Sequence, residues 1–113
     1  MTLTEVAQQL GLTVRCGGPK LMQEVTGGYA GDLLSDVMAH SKAGDLWVTL
    51  QVHANTVAVA VLKDLAGIVL VQGREPAEET LKRAAQENVP ILISNLQAFE
   101  TVGKLSALLG GRP

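Results

Sequence analysis

Aromatic residues make up only 3% of this 113-residue sequence, as Trp47, Tyr29 and Phe99. Its core must therefore be assembled from Val, Leu, Ile and Ala, and the stacking platforms that hold single-stranded nucleic acid are missing. Basic charge is not in excess either: nine Lys and Arg stand against eleven Asp and Glu, for a net charge of −2 and a pI near 5.6. Without a basic footprint, no nucleic-acid partner is expected. No apolar run approaches the ~20 residues that span a bilayer. Met1-Thr2-Leu3-Thr4-Glu5 also lacks the basic and apolar regions of a secretory signal, so a cytoplasmic protein without a membrane partner is expected. The single Cys16 cannot close an internal disulfide, which fits a reducing compartment.

What the sequence has is aliphatic and segmented. Hydrophobic residues make up 47% of it, far above the disordered range, and its length suits one domain spanning residues 1–113. Strand-like runs closed by small or polar residues recur as VTGG (25–28), LWVTLQ (46–51), IVLVQG (68–73) and ILISN (91–95), with helix-like segments between them. Strand, small-residue turn and helix in repetition predict a three-layer α/β domain: a mostly parallel sheet of four to five strands flanked by helices.

Thr2-Leu3-Thr4-Glu5 has capping-box spacing, and Leu3, Val6, Ala7 and Leu10 share one helical face up to Gly11. Strands are predicted over Leu12 to Cys16 and Leu21 to Thr26. The Gly17-Gly18-Pro19-Lys20 turn between them is too short for a parallel crossover, so the two are antiparallel neighbours or lie in different layers. After Gly31, Leu33, Leu34, Val37 and Met38 form a stripe with Asp32, Asp36 and His40 turned away. Val57, Val59 and Val61 alternate with alanine like a strand. However, Gln51 to Ala66 has crossover length between the strands Leu46 to Leu50 and Gly67 to Val71, which favours a helix. Glu75-Pro76 opens another helix, supported by Glu78/Lys82 and Glu79/Arg83 one turn apart and ended by Asn88 and Pro90. After the strand Ile91 to Ser94, Ser94-Asn95-Leu96-Gln97 reads as a second capping box. Leu96, Phe99, Val102, Leu105 and Leu109 then run down a final helix to Gly110-Gly111.

In open α/β sheets, ligands bind outside the carboxyl ends of the strands, which directs the search for chemistry. Gly27-Gly28-Tyr29-Ala30-Gly31-Asp32 lies between a predicted strand and helix, where free N–H groups suit an anion, and equally where a tight turn needs positive φ. It matches neither GxGxxG nor GxxxxGK[ST], and in Gly103-Lys104-Leu105-Ser106 a leucine follows the lysine. If the flanking strands are parallel, Gln51, His53 and Asn55 share an edge with Gln72, Gly73 and Arg74. His53 and Arg74 then suit an anionic group, and Gln51 or Asn55 a base or sugar. On the other reading, Asn55 or Thr56 caps a helix and Arg74 is solvated. Asp32, Asp36 and His40 form no closed metal shell, and Cys16 reads as a small buried hydrophobe. No acid/base or nucleophile pair can be assembled, so neither enzymatic activity nor a cofactor is expected.

On these residues, the stretch VTGGYAGDLLSDVMAHSKAGDLWVTLQVHANTVAVAVLKDLAGIVLVQGREP (25–76) resembles the DRTGG domain. Such domains stand alone or join phosphate acetyltransferase and CBS-domain pyrophosphatases, and a related form is the amino-terminal part of HPr kinase/phosphorylase. The resemblance implies an α/β fold with a regulatory or ligand-binding role and, in the pyrophosphatase setting, a homodimer with adenine-nucleotide effectors. The family's Asp-Arg falls on Val52-His53 and its Thr-Gly-Gly on Val71-Gln72-Gly73, where only the last glycine is kept. A serine-kinase label, which the HPr kinase link suggests, conflicts with the missing P-loop. Two functions are expected. One is a regulatory module binding an adenine nucleotide or other small anion through Thr26, Gly27, Gly28, Asp32, Gln51, His53, Asn55, Gly73 and Arg74. The other is an adaptor that regulates a larger enzyme or sensor through an apolar face, without a small ligand.

Overall fold

A computed structural model describes residues 1–110. Along the chain come α1 (Leu3–Leu10), β1 (Thr13–Cys16), a 3-10 helix (Gly18–Met22), β2 (Gly27–Ala30), α2 (Leu34–His40) and β3 (Asp45–Thr49). These are followed by α3 (Asn55–Lys63), β4 (Gly67–Leu70), α4 (Glu78–Glu87), β5 (Ile91–Ile93) and α5 (Ala98–Leu108). The expected end of the last helix at Gly111 lies outside the described residues.

One five-stranded sheet, ordered β1-β5-β4-β3-β2, forms the middle layer. β2, β3, β4 and β5 run parallel in sequence order, and β1 closes the far edge antiparallel to β5. The expected three-layer, mostly parallel α/β architecture is thus present. Because every parallel crossover advances in one direction, right-handedness puts α2, α3 and α4 on the same face. There Val37, Val57, Val59, Ala60 and Ala84 meet Trp47, Ile68, Leu70, Ile91 and Ile93. The opposite face, with Leu46, Val48, Val69, Val71 and Leu92, is covered by Leu3, Val6 and Ala7 of α1 and Leu105 of α5. β3 and β4 are buried on both faces and read as continuous apolar runs. Trp47 is fully buried, and its indole N–H donates to the Gly31 carbonyl at 2.8 Å.

Local chemistry explains which expectations hold. The first capping box forms: Glu5 N–H donates to Thr2 Oγ1 at 3.2 Å and Thr2 N–H to Glu5 Oε1 at 2.8 Å. The Ala/Val segment is the α3 helix, as the crossover requires. Four expectations are corrected. Leu21 to Thr26 is not a strand. Gly18 is left-handed at φ 51° and Pro19 enters the first turn without an N–H, so the chain coils into the 3-10 helix, and only Glu24 touches extended backbone, at Thr2. The strand at 13–16 therefore has no partner in 21–26: it pairs antiparallel with β5, at the edge of the sheet opposite β2. Glu78/Lys82 and Glu79/Arg83 do not close: the ion pairs among the described residues are Met1–Glu24, Arg15–Glu75 and His40–Asp36. Finally, Ser94 does not cap α5. That helix starts behind Gln97, whose N–H points at Glu100 Oε1 at 3.5 Å, and this start turns Phe99 outward to 89% exposure.

Candidate functional site

The sequence residues proposed to bind together separate into two groups. Thr26, Gly27 and Gly28 sit at the amino end of β2, where Gly27 pairs with Asp45 and Gly28 with Leu46, the first residues of β3. With about 3.3 Å of rise per residue, Gly27 is roughly 13 Å along the strand from Gly31. The glycines are therefore not a strand-to-helix loop, and the expectation that they share an edge with His53 and Gly73 is corrected. They are extended, and their role is clearance. A Cβ on Gly27 would stand 2.7 Å from Asp45 Oδ1, and one on Gly28 3.1 Å from Leu105 Cδ2. Thr26 belongs to the same amino edge, its N–H donating to the Gly44 carbonyl at 3.1 Å.

Asp32, Gln51, His53, Asn55, Gly73 and Arg74 do gather at the carboxyl edge, in the loops after β2, β3 and β4 and, for Asn55, at the first residue of α3. Asp32 ties the first two loops together. Its Oδ1 accepts from Thr49 Oγ1 at 2.8 Å and from Leu50 N–H at 2.7 Å, while Gln51 Nε2 donates to its carbonyl at 2.9 Å. The loop after β3 is in turn held to α4, with the Val52 carbonyl accepting from Ala77 N–H at 3.1 Å and Thr80 Oγ1 at 2.7 Å. Neither Asn55 nor Thr56 caps helix α3: its start at Ala54 has no side-chain cap, and the Thr56 hydroxyl donates back to the His53 carbonyl at 2.7 Å. Asn55 therefore keeps a free side chain, as do His53 and Arg74, and all three are exposed. Beside Arg74, Glu75 is already neutralised by a two-pronged bond from Arg15 at 2.7 and 2.6 Å, which holds its carboxyl below the usual range. Arg74 is thus the uncompensated charge of that loop.

The sheet has one notch of the kind that holds ligands. β4 sends its chain to α4 on one face and its neighbour β5 sends its chain to α5 on the other, so the two loops diverge at the carboxyl edge. A tight turn lies where the two loops diverge. Gln72 and Gly73 both have positive φ, 61° and 66°, and Arg74 N–H returns to the Val71 carbonyl at 3.2 Å, the geometry of a type I′ turn. Gln72 N–H donates across to the Leu96 carbonyl and Gly73 N–H to the Ser94 carbonyl, both at 2.8 Å. A Cβ on Gly73 would lie 3.3 Å from Asn95 Oδ1. Two successive left-handed residues explain why glycine is wanted at both positions and show that Gln72 occupies one of them as a side-chain-bearing residue.

Asn95 was missed among the candidate residues because Ser94 to Gln97 read as a helix cap. The signal was its place at the end of ILISN, a polar side chain at a strand's carboxyl end. Asp36 and His40 turn elsewhere: the Tyr29 hydroxyl donates to one Asp36 oxygen, raising the phenol's pKa, and His40 Nδ1 lies 3.1 Å from the other. Asp32, Asp36 and His40 do not converge. Cys16 is half-buried, its thiol donating to the Val89 carbonyl at 3.3 Å, and burial pushes its pKa up, away from the thiolate a nucleophile needs. Two grooves lie along α4, one of them between α3 and α4. No helix among the described residues is long and apolar enough to cross a membrane.

The fold is shared with a solved structure, the CBS and DRTGG domains of the regulatory region of Clostridium perfringens pyrophosphatase, complexed with its activator diadenosine tetraphosphate. The match has a TM-score of 0.70 at 13% identity and covers 92% of this chain. It covers 45% of that chain, so more than half of the pyrophosphatase region has no counterpart here. No curated protein matches the sequence. The family model of the DRTGG domain matches residues 5–108, nearly the whole sequence and both edges of the sheet described above, and the chain belongs to the DRTGG domain family.

Proposed function

We propose that this chain is a regulatory module, acting in the cytosol as a homodimer, that binds an adenine nucleotide at the carboxyl edge of its sheet. The observation that carries the proposal is the set of exposed, unpartnered side chains His53, Asn55 and Arg74 at the carboxyl edge that also carries the left-handed Gln72-Gly73 turn, where the loops after β4 and β5 diverge. Arg74 supplies a cation whose only adjacent carboxylate is already engaged, which suits a phosphate group. Asn55 and Asn95 supply paired donor and acceptor groups for a base. The likeness to a regulatory region crystallised with diadenosine tetraphosphate supports the class of ligand, with the polyphosphate chain answering the cationic side of the edge. The module regulates rather than catalyses.

The test is a thermal-shift series with diadenosine tetraphosphate, ATP, ADP and AMP, with GTP as the base control, followed by calorimetry. A ligand at about 100 times its dissociation constant stabilises the fold by about 2.7 kcal/mol. Binding by the wild type and its loss in Arg74→Ala and His53→Ala, whose folds stay intact, is the expected result. Full affinity in both variants would remove the site from this edge.

A second reading, an adaptor acting on a larger enzyme without a small ligand, is favoured by Phe99. It is the only phenylalanine, and it stands 89% exposed in the first turn of α5. Recovery of a stoichiometric enzyme partner that Phe99→Ser releases, together with no nucleotide-induced stabilisation, would select the adaptor.

A further inference from the structure

From Val57 to Leu62, helix α3 is apolar on every side. Val57, Val59 and Ala60 point into the core, yet Ala58, Val61 and Leu62 point out, with Val61 46% and Leu62 72% exposed. No charged side chain falls between Thr56 and Lys63. Helices of this composition are covered on both sides in folded proteins, whereas a surface helix carries a polar outer stripe. Its neighbour α4 shows the normal pattern, with Thr80 and Ala84 buried and Lys82, Arg83, Gln86 and Glu87 outside. Between the two helices runs a groove of about 440 Å³, lined on the α3 side by Ala58, Val61 and Leu62 and on the α4 side by Arg83, Gln86 and Glu87. Arg83 and Glu87 are one turn apart and opposite in sign, and neither has an ion-pair partner among the described residues.

We infer that the α3/α4 groove is the surface on which two copies of this chain pair about a two-fold axis, Leu62 of each entering the groove of the other and Arg83 of each facing the partner's Glu87. An isologous contact requires that one patch carry both the knob and the hole, and here the largely exposed Leu62 borders the groove it would fill on the other copy. It also requires charges that complement themselves under reversal. With helices α4 antiparallel and the axis passing level with Ala85, position 83 falls opposite position 87 twice over. A partner presenting a single sign of charge would instead meet one like charge on this rim. The groove thus selects a second copy. The inference rests on the homodimer reading given above and adds the surface that carries it.

The patch also bounds the strength of the contact. Helices of nine and ten residues present a face about 15 Å long and about 20 Å wide, below the roughly 800 Å² per partner of a standard interface. A dimer that dissociates in the micromolar range is expected.

Sedimentation velocity and light scattering on the full chain, from about 1 to about 100 μM, read the equilibrium. The wild type should pass from monomer to dimer across that range, and Leu62→Glu should remain monomeric. Because Leu62 is largely exposed, that variant should keep the wild-type circular dichroism spectrum and melting temperature. Arg83→Glu and Glu87→Arg should each weaken the dimer at least tenfold, and the double reversal should return it to near the wild-type constant. A wild type that stays monomeric throughout would overturn the homodimer reading and this surface together. A dimer indifferent to Leu62→Glu, or a double reversal no tighter than the single ones, would leave self-association standing and overturn this surface alone.

Discussion

Thr26-Gly27-Gly28 before and within β2 and Val71-Gln72-Gly73 after β4 look alike in sequence, each a β-branched residue followed by glycine or a polar residue and closed by glycine, and they sit at opposite ends of the sheet. In the first, the backbone is extended and any residue could adopt its angles. Glycine is needed there because Asp45 and Leu105 occupy the space of a side chain. In the second, the neighbours leave more room and the backbone itself is left-handed, at Gln72 as well as at Gly73. Glycine can therefore answer a demand from outside the chain or one from within it. Only the second kind marks a sharp reversal at a strand's carboxyl end, where ligands approach α/β sheets.

Substitutions that distinguish clearance from handedness would break or sharpen this comparison. The largest effect is expected at the amino edge. Gly27→Val places a branched side chain against the Asp45 carboxylate, which already accepts from Lys42 N–H at 2.8 Å, and should cost about 2 kcal/mol in urea unfolding without lowering nucleotide affinity. Gly73→Ala should cost less, about 1 kcal/mol, through its left-handed backbone, and it should also weaken binding, because the turn it strains lies in the proposed site. Gln72→Gly runs the other way: removing a side chain from φ 61° should stabilise the fold by roughly 0.5 kcal/mol, once the extra freedom of glycine in the unfolded chain is counted. A loss of stability in Gln72→Gly would mean that the glutamine side chain, not the backbone, matters there.

The smallest effect concerns the pair that frees Arg74. Glu75 is held below its ordinary value of 4.5 by the hydrogen bonds and charge of Arg15. A carboxyl with a depressed folded-state pKa stabilises the fold above its unfolded value, and that contribution fades as pH falls through the folded one. The wild type should therefore lose melting temperature more steeply than Glu75→Gln below about pH 5. Both groups are exposed, so the difference should be slight and should shrink in salt.

Much of the architecture was legible. The capping box at Thr2 and Glu5 acts within one turn, and the buried strands Asp45–Thr49 and Gly67–Leu70 are apolar because helices cover both their faces. The Ala/Val stretch could be placed only by topology: its alternation fits a strand, and the parallel strands on either side of it impose a helix. Where the reading failed, two local solutions competed and contacts distant in sequence chose between them. Ser94 could cap the last helix, but in the fold its hydroxyl lies 2.8 Å from Thr101 Oγ1 in the core, and the helix begins three residues later. Phe99 fits the apolar stripe of that helix on a wheel, yet the final packing against β2 turns it to solvent.

By itself the sequence determined the alternation of strands and helices, the aliphatic core and the absence of a phosphate-binding motif. These follow from short-range periodicity and from residue chemistry that needs no partner. Tertiary structure alone decided that β1 and β2 lie at opposite edges, that Gly27 and Gly28 serve packing while Gln72 and Gly73 serve a turn, and that α3 is left with an uncovered apolar face. Each of these depends on which distant segments come to lie side by side, and the same local pattern is satisfied equally well by more than one such arrangement.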